Sequence, residues 1–434
     1  MLVQYIAGDS SVKIAHSIEL AVSGGKIASG AQLPPVRNLA SHLRVSPATV
    51  AAAYKSLQDR GVLVADGRRG THVRHAAPLS VPAEVPLPAG TRNLLEGNPD
   101  PTLLPDLAER VTFRQRLYGE ELNDAKLIAL AREQFAADRV PSKHVAVLSG
   151  ALDGIERVLR EHLRAGERVA VEDPCFTGVL DLLNALSLVA VPVAVDDEGL
   201  FPDELRRAMK SCAAVIVTPR AQNPTGAAHT PKRARELRAV LAMRPDVLVI
   251  EDDHAGPVAG TPYLTLVDTS RERWAVVRSV SKSLGPDLRV ALLAADEHTH
   301  ARLEGRQTLG IRWVSHILQR LVVALWRDRG VQRLLTRAAK TYTERRDTLI
   351  RELDARGIEA HGRSGLNVWI PVAEESATVS ALLHEGWGVQ PGERYRIATQ
   401  PAIRVTIATL DISEAAHFAD DLARLMTPGR RAMV

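Results

Sequence analysis

Three short apolar runs, Val145-Ala146-Val147-Leu148, Ala213-Ala214-Val215-Ile216-Val217 and Val247-Leu248-Val249-Ile250, constrain the fold more than any other feature of the chain. None alternates apolar with polar residues. Each therefore predicts a strand buried on both faces, as in a parallel sheet covered by helices. Each run ends in a polar set: Ser149-Gly150-Ala151-Leu152, then Thr218-Pro219-Arg220-Ala221-Gln222-Asn223-Pro224-Thr225-Gly226, then Glu251-Asp252-Asp253. Open parallel sheets bind ligands outside the C-terminal ends of their strands. The expectation is an α/β body with a mainly parallel central sheet and a site gathered along one edge.

At 434 residues the chain has room for two or three domains with sizeable cores. No apolar stretch reaches the roughly eighteen residues of a membrane span, and the N-terminus lacks a basic and apolar leader, so a cytoplasmic location is expected. Cys175 and Cys212 make no disulfide framework and match no metal spacing; no metal is expected. The net charge of +4 is uneven: residues 1–75 carry +5 and the rest −1. A basic N-terminal module on a near-neutral body fits a domain that meets phosphate backbone, although charge alone is equally met by a solvated basic face.

A further run, Ser279-Val280-Ser281-Lys282-Ser283-Leu284-Gly285-Pro286-Asp287-Leu288-Arg289, sets an amine among hydroxyls with a guanidinium behind it. That combination suits an aldehyde cofactor carrying a phosphate, pyridoxal 5'-phosphate: the lysine attacks the aldehyde to form a Schiff base, and serines and arginine satisfy the dianion. A lysine among serines is also a common solvated surface pattern, so the upstream polar sets carry the weight. In this order the three segments resemble the fold-type I aminotransferases from about Leu94 to the C-terminus.

The first 75 residues have their own pattern. A helix over residues 12–23 is followed by one over Val36–Leu43, and Ser46-Pro47 opens a third with an N-cap serine and a first-turn proline. On the third, Val50, Ala53, Tyr54 and Leu57 share a face and leave Thr49, Ala52, Lys55 and Ser56 outward. Two short strands follow around the tip Asp66-Gly67-Arg68-Arg69-Gly70. A helix-turn-helix with a hairpin wing is predicted. Leu33-Pro34-Pro35-Val36-Arg37-Asn38-Leu39-Ala40, Ser46-Pro47-Ala48-Thr49-Val50 and the wing resemble the winged helix of the GntR regulators. That resemblance implies that Arg37, Ser46, Thr49, Arg68 and Arg69 face double-stranded DNA and that Lys55 reaches phosphate. Ala48 and Ala51 stand where relatives carry polar readers, which leaves fewer base contacts.

Residues 76–92 form a proline-rich tract without periodicity, a semi-rigid linker. Winged helix (1–75), linker (76–92) and aminotransferase-like body (93–434, with a large subdomain over about 125–310 and a small one mainly over 320–434) together resemble the MocR subfamily of GntR regulators, with likeness to members that repress vitamin B6 salvage genes. The resemblance implies residue roles. Lys282 holds the cofactor as an internal aldimine, and Asp252 pairs with the pyridine nitrogen. Asn223 donates to O3' and Phe176 stacks on the ring. The Gly150–Ala151 turn takes the phosphate with Ser279, Ser281 and Arg289. Tyr118 resembles a tyrosine lent across a homodimer interface, and Arg404 matches the arginine that grips an amino-acid carboxylate. His254 departs from the pattern, standing where the subfamily places a tyrosine.

Two functions follow. The first is a regulator of vitamin B6 or amino-acid genes that responds to pyridoxal phosphate or an amino acid; the second is a working aminotransferase with a DNA-binding appendage. A cofactor-free scaffold is a third.

Overall fold

The structure, a computed structural model, describes residues 2–23, 26–28, 30–59, 62–65, 70–73, 87–107 and 120–426. Arg68, Arg69 and Tyr118, and most of the proline-rich tract, lie outside the described residues.

The N-terminal module holds helices α1 (Ser11–Ser23), α2 (Val36–Leu43) and α3 (Pro47–Asp59), then an antiparallel hairpin of β1 (Leu63–Ala65) and β2 (Thr71–Val73). Its core is the expected face of α3, with Val50, Ala53 and Leu57 fully buried against Ile14, Ile18, Leu39 and Leu63. Arg44 turns the chain between α2 and α3 in the left-handed region (φ 54°), its N–H bonded to the carbonyls of Ala40 and Ser41. Tyr54 Oη donates to Pro34 O at 2.7 Å and ties α3 to the segment before α2. Ser46 caps α3: Thr49 N donates to Ser46 Oγ at 3.1 Å, and the two hydroxyls lie 2.8 Å apart. An N-cap of this kind contributes about 1 kcal/mol. Ser46→Ala should therefore speed amide exchange in residues 47–59 about fivefold, and unchanged exchange would show the cap to be idle.

The body is built on an eight-stranded sheet. Its strands are β4 (Val145–Leu148), β5 (Arg168–Asp173), β6 (Val189–Asp196), β7 (Gly199–Leu200), β8 (Ala214–Val217), β9 (Leu248–Asp253), β10 (Trp274–Ser279) and β11 (Ala291–Ala295), while β3 (Arg92–Asn93) lies apart. The order is β4-β11-β10-β9-β8-β5-β6-β7. Strands β8, β9 and β10 run parallel, and β11 is antiparallel to both β10 and β4. All three apolar runs are strands, and β4, β8 and β9 are buried at every position. Because β11 runs the other way, its first residue lies at the same edge as the ends of β4, β8, β9 and β10. One edge thus collects residues 149–151, 218–226, 252–254, 279–282 and 289.

Beyond the large sheet, β12 (Asn367–Pro371), β14 (Gln390–Pro391) and β15 (Ala402–Thr406) form a three-stranded antiparallel sheet, and β13 (Trp387–Gly388) pairs in parallel with β3. The long helix Arg329–Asp354 packs on β12 and on helix Ile412–Met426, and its Val331, Leu335, Tyr342, Leu349 and Leu353 belong to the same apolar core as Val249 and Val276 of the large sheet and Val368 and Ile403 of the small one. This arrangement fixes residues on β15 relative to those on β9 and β10.

Candidate functional site

Lys282 sits in the short helix Ser281–Leu284 directly after β10. Burial, reinforced by the neighbouring Arg404 and Arg289 charges, lowers its ammonium to about 8. An amine that sheds its proton near neutral pH is a ready nucleophile. Its Nζ donates to Gly97 O.

Asp252, the penultimate residue of β9, is buried, and its Oδ1 meets no hydrogen-bond partner among the described residues. Burial, with Asp253 and Glu172 adding repulsion, raises its carboxyl to about 7. The adjacent Asp253 behaves oppositely. Although burial works against its charge, the Arg220 and Arg278 guanidiniums hold it well below the carboxylate range, with Arg220 Nε 2.8 Å from Oδ1 and Arg278 Nε 2.6 Å from Oδ2. The strand alternation that points Asp253 at this ion cluster points Asp252 the other way.

Asn223 presents its oxygen to two donors, Arg404 Nη1 at 3.2 Å and Asn367 Nδ2 at 3.4 Å, which turns its amide N–H₂ end away from them. The turn that carries it is braced by Gln222, fully buried. Gln222 Nε2 donates to Glu172 Oε2 (3.2 Å) and Pro174 O (2.8 Å), and Gln222 Oε1 accepts from Thr225 N and Thr225 Oγ1. Glu172 Oε1 in turn accepts from Thr218 N at 2.9 Å. This brace joins the Asn223 turn to the loop carrying Phe176, which is half-buried and packs beside Gly178 and Leu152. Gln222 and Glu172 were not among the residues singled out from sequence. The only sign of them there was their position next to Asn223 and Asp173.

His254 follows β9, and its Nε2 lies 2.7 Å from Ala221 O. A carbonyl only accepts, so Nε2 carries the proton and Nδ1 is left as the ring's acceptor. Burial lowers the ring to about 4, with the Lys282 charge acting the same way, and it is neutral. His254, which stands where the subfamily places a tyrosine, is therefore an acceptor at Nδ1 and not a stand-in for a phenolic donor.

At the other end of the edge, Gly150 has φ +111°, and a Cβ built on it would lie 2.9 Å from Arg289 Nη2. Arg289 thus lies across the turn that opens helix α4 (Ala151–His162). Ser279 Oγ accepts from Ser281 N at 3.1 Å, and Asp153 Oδ2 accepts from Ser149 N at 3.2 Å. A helix N-terminus with a guanidinium over it suits a phosphate. Gly150→Val should weaken pyridoxal phosphate binding at least about tenfold, because the branched side chain both opposes the positive φ and pushes Arg289 aside. Titration of the variant with the cofactor tests this, and an unaltered affinity would move the phosphate elsewhere.

Arg404, in the middle of β15, is buried at 4% exposure. Its Nη1 and Nη2 donate to Asn223 Oδ1 and Leu95 O, its Nε has no partner, and the Tyr395 ring lies 5.0 Å from its Cζ. Among the described residues no carboxylate pairs with it. The edge therefore brings together Lys282, Asp252, Asn223, His254, Phe176, Gly150, Ala151, Ser279, Ser281, Arg289 and Arg404. In the N-terminal module Arg37, Ser46 and Lys55 are exposed and Thr49 is half-buried.

A winged helix ahead of an α/β body with a half-buried amine, a buried carboxyl with one unpartnered oxygen and a guanidinium over a helix start defines the class: a DNA-reading module joined to a transaminase-type fold. Comparison with known proteins places it further. Residues 114–422 match the family Aminotransferase class I and II, and residues 10–73 match the bacterial regulatory proteins of the gntR family. The chain is 40% identical over 429 residues, 96% of its length and 98% of the relative's, to the vitamin B6 salvage pathway transcriptional repressor PtsJ of Salmonella typhimurium. It is 28% identical to the HTH-type transcriptional regulator TauR of Rhodobacter capsulatus, covering 91% of this chain and 90% of that one. Among solved structures, the α-aminoadipate aminotransferase LysN of Thermus thermophilus, in complex with N-(5'-phosphopyridoxyl)-L-leucine, shares the body fold at TM-score 0.69 and 22% identity, covering 78% of this chain and 92% of that one. The chain belongs to the aminotransferase class I and II family through its body and, with its gntR-type winged helix, has the MocR-type architecture.

Its fold is one that binds pyridoxal phosphate, and gntR-type modules bind DNA. Among the described residues no helix is long and apolar enough to cross a membrane, and no group of three His, Cys, Asp or Glu could hold a metal ion.

Proposed function

We propose that this chain is a DNA-binding transcriptional regulator that takes pyridoxal 5'-phosphate at Lys282, uses its aminotransferase-like body as sensor and dimeriser, and controls vitamin B6 salvage. The organisation is a winged helix over 1–75, a linker over 76–92 and a body over 93–434. The observation that carries the cofactor assignment is the buried Asp252 oxygen without a partner, since a pyridine N–H supplies the donor that it lacks. The regulatory assignment is supported by similarity to a named repressor of that pathway along nearly the whole chain.

The bound cofactor supplies an electrophilic carbon and an electron-withdrawing ring. The chain supplies the rest. Lys282, held near neutrality, is the point of covalent attachment. Asp252 accepts at the ring nitrogen and, once paired with a cation, ionises. Asn223 turns its N–H₂ toward the ring oxygen, His254 holds an acceptor at Nδ1, and Phe176 covers one ring face. Arg289, Ser279, Ser281 and the Gly150–Ala151 turn take the phosphate. Arg404 receives the carboxylate of an amino-acid effector, and Tyr118 of a second copy completes the site. Arg37, Ser46, Thr49, Lys55, Arg68 and Arg69 meet the DNA.

The test is affinity for a DNA fragment selected from random sequence by the protein itself, measured at fixed salt with and without pyridoxal phosphate. A change of about tenfold or more is expected, a coupling of about 1.4 kcal/mol. Equal affinities remove the sensor role. The aminotransferase reading is favoured by the joint presence of Lys282, Asp252 and Arg404; repeated conversion of the cofactor to its pyridoxamine form by an amino acid would establish it.

A further inference from the structure

Two of the cations that face the site, Lys282 and Arg404, are each held by a carbonyl of one short segment. Lys282 Nζ donates to Gly97 O, and Arg404 Nη2 donates to Leu95 O. Leu95 and Gly97 are two residues apart in a segment that bends at residues 95–96, and both of their carbonyls meet cations of the site. The segment is anchored on either side of them. Upstream, Arg92 N bonds Gly386 O, Leu94 N bonds Gly388 O and Leu94 O accepts from Thr406 N. Downstream, Asp100 N donates to Tyr342 Oη at 3.0 Å, and Asp100 Oδ2 pairs with Arg345 at 2.9 Å. Between these anchors, residues 95–98 are half-buried or exposed, and only local side-chain bonds brace them: Leu95 N to Asn93 Oδ1, and the amides of Asn93 and Asn98 to Glu96.

We infer that residues 95–97 form a strap whose carbonyls stand where a ligand's anionic groups go, so that a carboxylate reaching Arg404 lifts the strap. The inference rests on the cofactor reading above and adds the regulation of that site. Arg404 is buried, its charge is met by the neutral oxygens of Leu95 and Asn223, and its Nε is unmatched. An anionic carboxylate is a stronger acceptor for a guanidinium than a carbonyl, since it carries the opposite charge and can take two parallel N–H bonds where the carbonyl takes one. A ligand that brings one in therefore gains by exchange with Leu95 O. The strap's upstream end, β3, follows the proline-rich tract in sequence, so the lifted segment is continuous with the connection to the winged helix. A neutral or purely phosphate-bearing ligand makes no such exchange at Arg404. The carboxylate is thereby distinguished from the cofactor as the signal.

Hydrogen exchange on the full chain tests this, first on the wild-type protein. Two probes are compared, each at saturation: pyridoxamine 5'-phosphate, which has no carboxylate, and N-(5'-phosphopyridoxyl)-L-leucine, which has one. Amides of residues 95–98 are expected to exchange at least about fivefold faster with the carboxylate-bearing probe, with residues 248–253 of β9 unchanged between the two. In Arg404→Lys, which keeps the charge but not the fork, the difference should shrink, and in Arg404→Gln it should vanish. Tight binding of both probes with equal exchange of the strap overturns the strap and leaves the cofactor reading standing. Failure of pyridoxamine 5'-phosphate to bind removes both, and failure of the carboxylate-bearing probe alone overturns only the strap.

Discussion

Lys282→Ala should fold and never turn yellow. Wild-type protein incubated with pyridoxal phosphate is expected to absorb above about 400 nm and, after borohydride, to retain the cofactor covalently on the peptide containing Lys282. The variant should show neither, while Asp252, Arg289 and the Gly150 turn still give weak reversible binding. The fold itself should gain. Burial depresses the Lys282 ammonium to about 8 against an ordinary value near 10.4, so the folded chain binds fewer protons there than the unfolded chain. That penalty is fully present below pH 8 and fades as pH rises toward 10.4, so removing the amine should stabilise the cofactor-free protein at pH 7 by about 2–3 kcal/mol. Covalent cofactor recovered from the variant would place the reactive amine elsewhere.

The second large effect is at Asp252. Its carboxyl is raised to about 7, by burial first and then by Asp253 and Glu172, from an ordinary value near 3.9. Between those two values the folded chain keeps a proton that the unfolded chain has released. The contribution to stability is present below about pH 4 and lost as pH climbs through 7. Asp252→Asn carries no such proton. Without cofactor the variant should be more stable than wild type by about 2–4 kcal/mol at pH 8, and equal to it near pH 4. Adding pyridoxal phosphate should reverse the order, because only the carboxylate meets a ring N–H with opposite charge. Urea unfolding at the two pH values, with and without cofactor, reads all four states. A cofactor-free variant weaker than wild type at pH 8 would show that Asp252 is not held against its charge.

Much of this was legible in the chain. The uninterrupted apolar runs 145–148 and 247–250 and most of 213–217 became fully buried strands, because a strand covered on both faces has no reason to alternate. The buried face of α3 followed from its spacing, and the cap at Ser46 from its residue type. What resisted reading was contact between segments far apart in sequence. Nothing local marks Leu95 and Gly97 as partners of Arg404 and Lys282, because a backbone carbonyl has no residue identity. Nothing marks Gln222 as a brace, since its partners Glu172 and Pro174 lie some 50 positions away. His254 was noticed as an exception, but its tautomer depends on the Ala221 carbonyl, which only the folded turn brings to it.

The reversed strand β11 has an effect on how the site is assembled. Ser279 pairs with Ala291 across the connection that begins after β10, so Lys282 and Arg289, the amine and guanidinium proposed to take the cofactor, lie on one loop, seven residues apart. Their separation is set by local chain geometry and needs no distant contact, whereas Asp252, Asn223 and Arg404 arrive from elsewhere in the fold. On the proposed reading, one hairpin thus carries both positive groups that meet a phosphorylated aldehyde.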